Sequence, residues 1–146
     1  MKRIIYWTIF ILLIVAYVTD VENIDLKGIL SSPQVSSTSY DKVIYFQADR
    51  YPKTAAHIEY AIDKGKSAIC TIDCDGAEEN RSQSLKGIPT KKGYDRDEYP
   101  MAFCDEGGTD VDIEYVKPAD NRGAGSWISH QVNDFPDGTK ILIQVK

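Results

Sequence analysis

Seven consecutive residues, Tyr94-Asp95-Arg96-Asp97-Glu98-Tyr99-Pro100, bring three carboxylates and a guanidinium into four adjacent positions. Such a stretch is costly to desolvate and useless as core, so it is either a solvated loop or a site. Further on, Asp120-Asn121-Arg122-Gly123-Ala124-Gly125-Ser126-Trp127 sets an Asn and an Arg just ahead of an expected helix. Backbone N–H groups and a side-chain amide can converge there on an anion or a hydrated cation. Hydrolysing a phosphodiester near neutral pH needs a divalent ion against the developing charge and a base for the attacking water. Asp95, Asp97 and Glu98 are candidates for base and metal ligand, and Arg96 and Arg122 for transition-state charge. Asn121 is a neutral oxygen ligand that would hold Mg²⁺ or Mn²⁺ loosely, with waters completing the shell.

Two other readings compete. A carboxylate pair could serve a glycosidase acting on cell-wall polymer, which leaves Asn121, Arg122 and Gly123 without a role. An exported binding or regulatory module could keep the fold without catalysis, and loss of Asp97, Glu98 or Asn121 would have favoured it; all three are present.

The chain of 146 residues has room for one domain, and 42% hydrophobic residues can fill a core. Its net charge is −5, and loss of Lys2 and Arg3 with a leader would deepen it by two. That balance argues against tight, static nucleic-acid binding by phosphate neutralisation. It leaves room for an enzyme that releases its substrate and places a cation between itself and the phosphate. The one basic patch is the loop Leu85–Gly93, with Lys86, Lys91 and Lys92. These lysines either balance the acidic motif or act as rails for a phosphate backbone.

Lys2 and Arg3 precede an apolar run from Ile4 to Val18 broken only by Thr8. Its length is short for a membrane span and suits a secretory signal. The small-residue cleavage pattern is poor, because Ala16-Tyr17-Val18 ends on Val. We therefore expect a signal peptide or membrane anchor over residues 1–19, a Ser-rich linker over 20–41 and a functional domain over 42–146. The domain would be secreted, or tethered to the outer face of the cytoplasmic membrane by an uncleaved leader. Of three cysteines, Cys70 lies in an apolar run and Cys74 in a polar turn, so a Cys70–Cys104 disulfide with one spare thiol is favoured. A three-cysteine zinc site lacks a fourth ligand and a tight Cys-x-x-Cys pair.

The elements that must position these groups follow from patterning. Val43–Ala48 reads as a buried strand. Asp49 can cap a helix with Pro52 in its first turn and Ala55, Ile58, Ala61 and Ile62 on its apolar face, ended by Gly65. His57 falls one position off that face and reads as a partly exposed helix residue. Ser67–Ile72 is a short strand, and Asp75–Ser84 a solvated turn and helix. Between Asp110 and Val116, Val111, Ile113 and Tyr115 alternate with Asp112 and Glu114 as in a half-exposed strand, which Pro118 breaks. Asp120 can cap a helix carrying Trp127, Ile128, Val132 and Phe135, with His130 on its surface, and Ile141–Val145 closes the domain. The class is α+β, with a small antiparallel sheet and helices.

Three blocks are recognisable together: Asp95-Arg96-Asp97-Glu98-Tyr99-Pro100-Met101-Ala102, Glu106-Gly107-Gly108, and Asp120 through Trp127. They resemble the small secreted bacterial deoxyribonucleases of the NucB type, which are tied to sporulation and extracellular DNA turnover. The resemblance runs from about Lys42 to the end. It implies DNA as substrate, a divalent metal ion, action as a monomer, and a disulfide between Cys70 and Cys104, with Cys74 a departure. More distantly, the blocks are similar to the ββα-metal endonucleases, whose Asp-Arg-Gly-His motif supplies a His base and whose Asn-Gln-Gly-Ala-Trp motif supplies an Asn ligand. Here no His stands in the first block. The resemblance therefore implies an acidic base, Asp97, with Glu98 sharing that role or the metal's shell, and Asn121 as ligand, joined by Asp95. Four residues after Trp127 that superfamily has Glu and this chain Gln131, which we group with Lys86, Lys91 and Lys92 as substrate contacts.

Overall fold

The computed structural model describes residues 39–146, so the leader expected over 1–19 and nearly all of the linker expected over 20–41 lie outside the described residues. The elements in order are β1 (Lys42–Phe46), α1 (Pro52–Asp63), β2 (Ile69–Thr71), α2 (Ala77–Ser84), β3 (Asp95–Tyr99), β4 (Asp112–Val116), α3 (Pro118–Val132) and β5 (Lys140–Val145). Among the described residues, no helix is long and apolar enough to cross a membrane.

The expected α+β class is the one observed, in two sheets: β1-β5-β2, and the pair β3-β4. β2 with β5 and β3 with β4 are antiparallel, as expected, but β1 runs parallel to β5, which makes the larger sheet mixed. Parallel neighbours need a long crossover, and here everything between residues 46 and 140 supplies it. The strand expected to close the domain is thus the middle of its sheet.

The core gathers Phe46 from β1, Ile58 from α1, Ile141 from β5 and Tyr99 from β3, each at most 1% exposed. Burying side chains of this size stabilises the fold by roughly 1.5–3 kcal/mol apiece. α1 packs against α3, against both strands of the β3-β4 pair and against β5, so it joins the two sheets. The Cys70–Cys104 disulfide is present, with the pair 34 residues apart in sequence. A loop of that length is worth roughly 3–4 kcal/mol in the chain-entropy model. It fastens the segment after β3 to β2, alongside a bridge between Ile72 and Cys104, while Cys74 is exposed and free.

Two local expectations are corrected. α1 opens at Pro52 with Tyr51 as its N-cap and no side chain of its own capping it, so Asp49 does not serve. Asp120 does, from another helix: it accepts hydrogen bonds from the Lys53 and Thr54 backbone N–H groups, both at 3.0 Å, and from Thr54 Oγ1 at 2.8 Å. Asp120 therefore caps α1, not α3. Second, α3 starts at Pro118, whose fixed φ suits a first helical position after extended Lys117. Asn121 and Arg122 consequently lie inside the first turns of α3 instead of ahead of it.

Candidate active site

β3, β4 and α3 follow one another as strand, strand and helix. β3 pairs with β4 along one edge, and its residues line a cavity of about 710 Å³ whose opposite wall is α3. Asp95, Arg96, Asp97 and Glu98 all reach this cavity, as do Asn121 and Arg122. A charged strand runs against local propensity. It is held by the full register with β4, from Asp95 opposite Val116 to Tyr99 opposite Asp112, and by the buried Tyr99 at its end. The acidic motif is thus a strand that lines a cavity, not a solvated loop.

Side chains alternate along a strand, so Asp95 and Asp97 leave one face and Arg96 and Glu98 the other. On the first face, Asp97 Oδ2 lies 2.8 Å from His57 Nδ1, and the other ring nitrogen of His57 lies 3.0 Å from Asp112 Oδ1. His57 is 3% exposed, which overturns its reading as a partly exposed helix residue. The reason is that α1 turns this position toward the β3-β4 pair, where two carboxylates satisfy both ring nitrogens. Burial alone would lower the His57 pKa, but the hydrogen bonds and charges of Asp97 and Asp112 outweigh it and raise it above the ordinary value. Burial also pushes the Asp97 carboxyl above the usual carboxylate range, with His57 opposing the shift.

Asp95 does not stand free to bind a cation. Both its oxygens accept from Arg122, Oδ2 from Nε at 2.7 Å and Oδ1 from an Nη at 2.9 Å. That fork, with Asn121 adding to it, holds the Asp95 carboxyl below the ordinary value. Arg122 is well exposed, so the pair adds little stability; what it fixes is the direction of the guanidinium at the cavity.

On the opposite face, Glu98 accepts a hydrogen bond from Ser84 Oγ at the end of α2, and its other oxygen lies 3.9 Å from Arg81 Nε. Burial raises its pKa, with Ser84 and Arg81 opposing. Arg96 is spent partly on backbone, donating to the Ile88 carbonyl at 2.8 Å and so tying the 85–93 loop to β3.

The expected substrate contacts are not brought together. Lys86, Lys92 and Gln131 are exposed and none lines the cavity. Lys91 lies over the rings of Tyr94 and Tyr115, 4.4 and 5.3 Å from their centroids. His130 is exposed, with Nδ1 2.6 Å from the Ser126 carbonyl, and lies outside the cavity lining. The positive charges on the wall are Arg81, Arg96 and Arg122. Sequence reading missed Arg81, which sits in a stretch dominated by polar helix formers, and His57, whose partners lie 40 and 55 residues away.

α3 approaches closely enough that glycine is required at one point: a Cβ on Gly123 would sit 2.7 Å from the Tyr51 ring. The helix that carries Asn121 is thereby seated on the N-cap residue of α1.

No protein-family model matches the chain. It is 56% identical over 124 residues to the DNA-entry nuclease of Bacillus subtilis (strain 168), an alignment that covers 83% of this chain and 84% of that protein.

Proposed function

The chain belongs to the NucB-type deoxyribonuclease family, and on that premise we propose that it is an extracellular, divalent-metal-dependent endonuclease that hydrolyses DNA with little sequence preference. The observation that carries this reading is the placing of Asp97, Asn121 and Arg122 on one cavity, from the strand and the helix of a strand-strand-helix unit.

The donors fit a hard, hydrated cation. The Asn121 amide and the nearby carboxylates are oxygen donors, the class that suits Mg²⁺ or Mn²⁺. Among the described residues, the one group of three close metal-ligating side chains is Cys70, Cys104 and Glu106, and both its sulfurs are joined in the disulfide. Asn121 would hold the ion, with water and substrate oxygens as its other partners. When bound, such an ion stabilises charge on the phosphate and on the leaving oxygen.

The protein's own groups divide the remaining work. Asp97 takes the proton of the attacking water, and burial makes its carboxylate a stronger base than an ordinary one. Arg122, aimed by Asp95, faces the charge that grows on the phosphate. The cavity wall carries Arg81, Arg96 and Arg122 against Asp95, Asp97 and Glu98, so it is balanced although the whole chain is acidic. A phosphate backbone therefore meets no net repulsion there.

The test is plasmid digestion by the exported, disulfide-bonded protein, with Mg²⁺ or Mn²⁺ and with excess chelator. Chelator-sensitive cutting, lost in Asp97→Ala and Asn121→Ala, is expected. A folded wild type that binds DNA and never cuts it would make the chain a binding module instead.

A further inference from the structure

A histidine inside a helix-packed core is an expensive choice. Ile or Leu would fill the same volume without two polar atoms to satisfy. His57 is nonetheless buried and touches a carboxylate with each ring nitrogen, one on β3 and one on β4. An ionised carboxylate only accepts hydrogen bonds, so a protonated imidazole would donate one ring N–H to each. Asp97 and Asp112 are diagonal neighbours on one face of the β3-β4 pair, since Asp112 stands opposite Tyr99 and Asp97 opposite Glu114. Like charges at that spacing repel, and the imidazole lies between them.

We propose that His57 is a positioning residue for catalysis, clamping Asp97 through Oδ2 so that Oδ1 is aimed at the attacking water, while Asp112 sets the plane of the imidazole. This rests on the reading of Asp97 as the base. The order is carboxylate, imidazole, then base, with each member fixing the orientation of the next. Asp97 comes from a five-residue strand with one pairing partner, and its side chain would otherwise sample other rotamers beside an open cavity. A misaimed base costs rate without costing affinity, because binding rests on other groups. A purely structural His57 would instead affect stability and leave turnover per folded molecule unchanged.

The experiment measures kcat and KM on DNA at saturating Mg²⁺, with thermal melting, for the full exported protein and for His57→Ala, Asp112→Asn and Asp97→Ala. His57→Ala should lower kcat about 10- to 100-fold with KM within about twofold. Added imidazole, which fits the space vacated, should restore part of that loss. Asp112→Asn keeps His57 in place and should lower kcat about three- to tenfold near the wild-type melting temperature. It carries the test alone if His57→Ala does not fold, and a wild-type kcat in it would then overturn the proposal. A folded His57→Ala with wild-type kcat beside an inactive Asp97→Ala would refute the positioning role and leave the base assignment standing. A kcat loss that imidazole does not relieve, matched by a fall in melting temperature, would also refute it. An active Asp97→Ala would remove the base assignment on which the proposal rests.

Discussion

Asp97 and Glu98 are neighbours in sequence on the wall of one cavity, both withdrawn from water and both raised in pKa by burial, yet their partners come from two different regions of the molecule. Asp97 faces α1 and α3, where its partner is a histidine with a second carboxylate behind it. Glu98 faces α2, where a serine hydroxyl and an arginine neutralise it locally. A raised pKa therefore does not by itself single out Asp97, the proposed base, from Glu98. What differs between them is the partner: a buried histidine backed by a second carboxylate for Asp97, a serine hydroxyl and an exposed arginine for Glu98.

The sharpest way to break this contrast is to remove each carboxylate in turn. Asp97→Ala should lower kcat by about 10³- to 10⁴-fold, whereas Glu98→Gln should stay within about tenfold. Equal losses in plasmid nicking would erase the distinction between the two faces. Next in size, Asn121→Ala should cost on the order of 10²-fold in activity and raise the Mg²⁺ concentration needed for half-maximal cutting. An unchanged metal titration would move the ion away from α3. Arg122→Ala should lower kcat about 10- to 100-fold, and Asp95→Ala less, if the proposed role of Asp95 is to aim that guanidinium. If Asp95→Ala proved the worse of the two, the carboxylate would be a ligand after all.

A smaller effect reads the two faces through pH. The folded pKa of His57 lies above its ordinary 6.5, so its stabilisation is fully present below pH 6.5 and is lost as pH rises through the folded value. Glu98 is also raised, and its contribution is lost as pH rises from its ordinary 4.5 through its own folded value. Melting in chelator should thus fall as pH rises above 6.5 in the wild type and in Glu98→Gln, and flatten in His57→Gln. A fall that persisted in His57→Gln would assign the titration elsewhere.

Much of this was legible in the chain itself. Strands near 43, 69, 112 and 141 follow from β-branched and alternating residues, and the helix after Pro52 from its apolar spacing. The Cys70–Cys104 pairing follows from the apolar run around Cys70. What stayed hidden depends on distant partners. β3 read as a solvated loop or a site because four of its five residues are charged, and only pairing with β4 makes it a strand. The partners of His57 and the helix that Asp120 caps lie 40 to 67 residues away, beyond any local rule. The parallel alignment of β1 with β5 joins the two ends of the domain and has no periodic signature.

The cap that Asp120 lends to α1 has a mechanical meaning. The same residue that seals one helix stands next to Asn121, the proposed metal ligand, on the other, and the sealed helix carries His57, which is hydrogen-bonded to Asp97, the proposed base. The two jaws of the proposed active site are therefore bolted together behind the bite, with Asp120 as the bolt. Loosening it should change the clearance between base and ion, so Asp120→Ala would lose turnover as well as the about 1–2 kcal/mol expected of a missing helix cap.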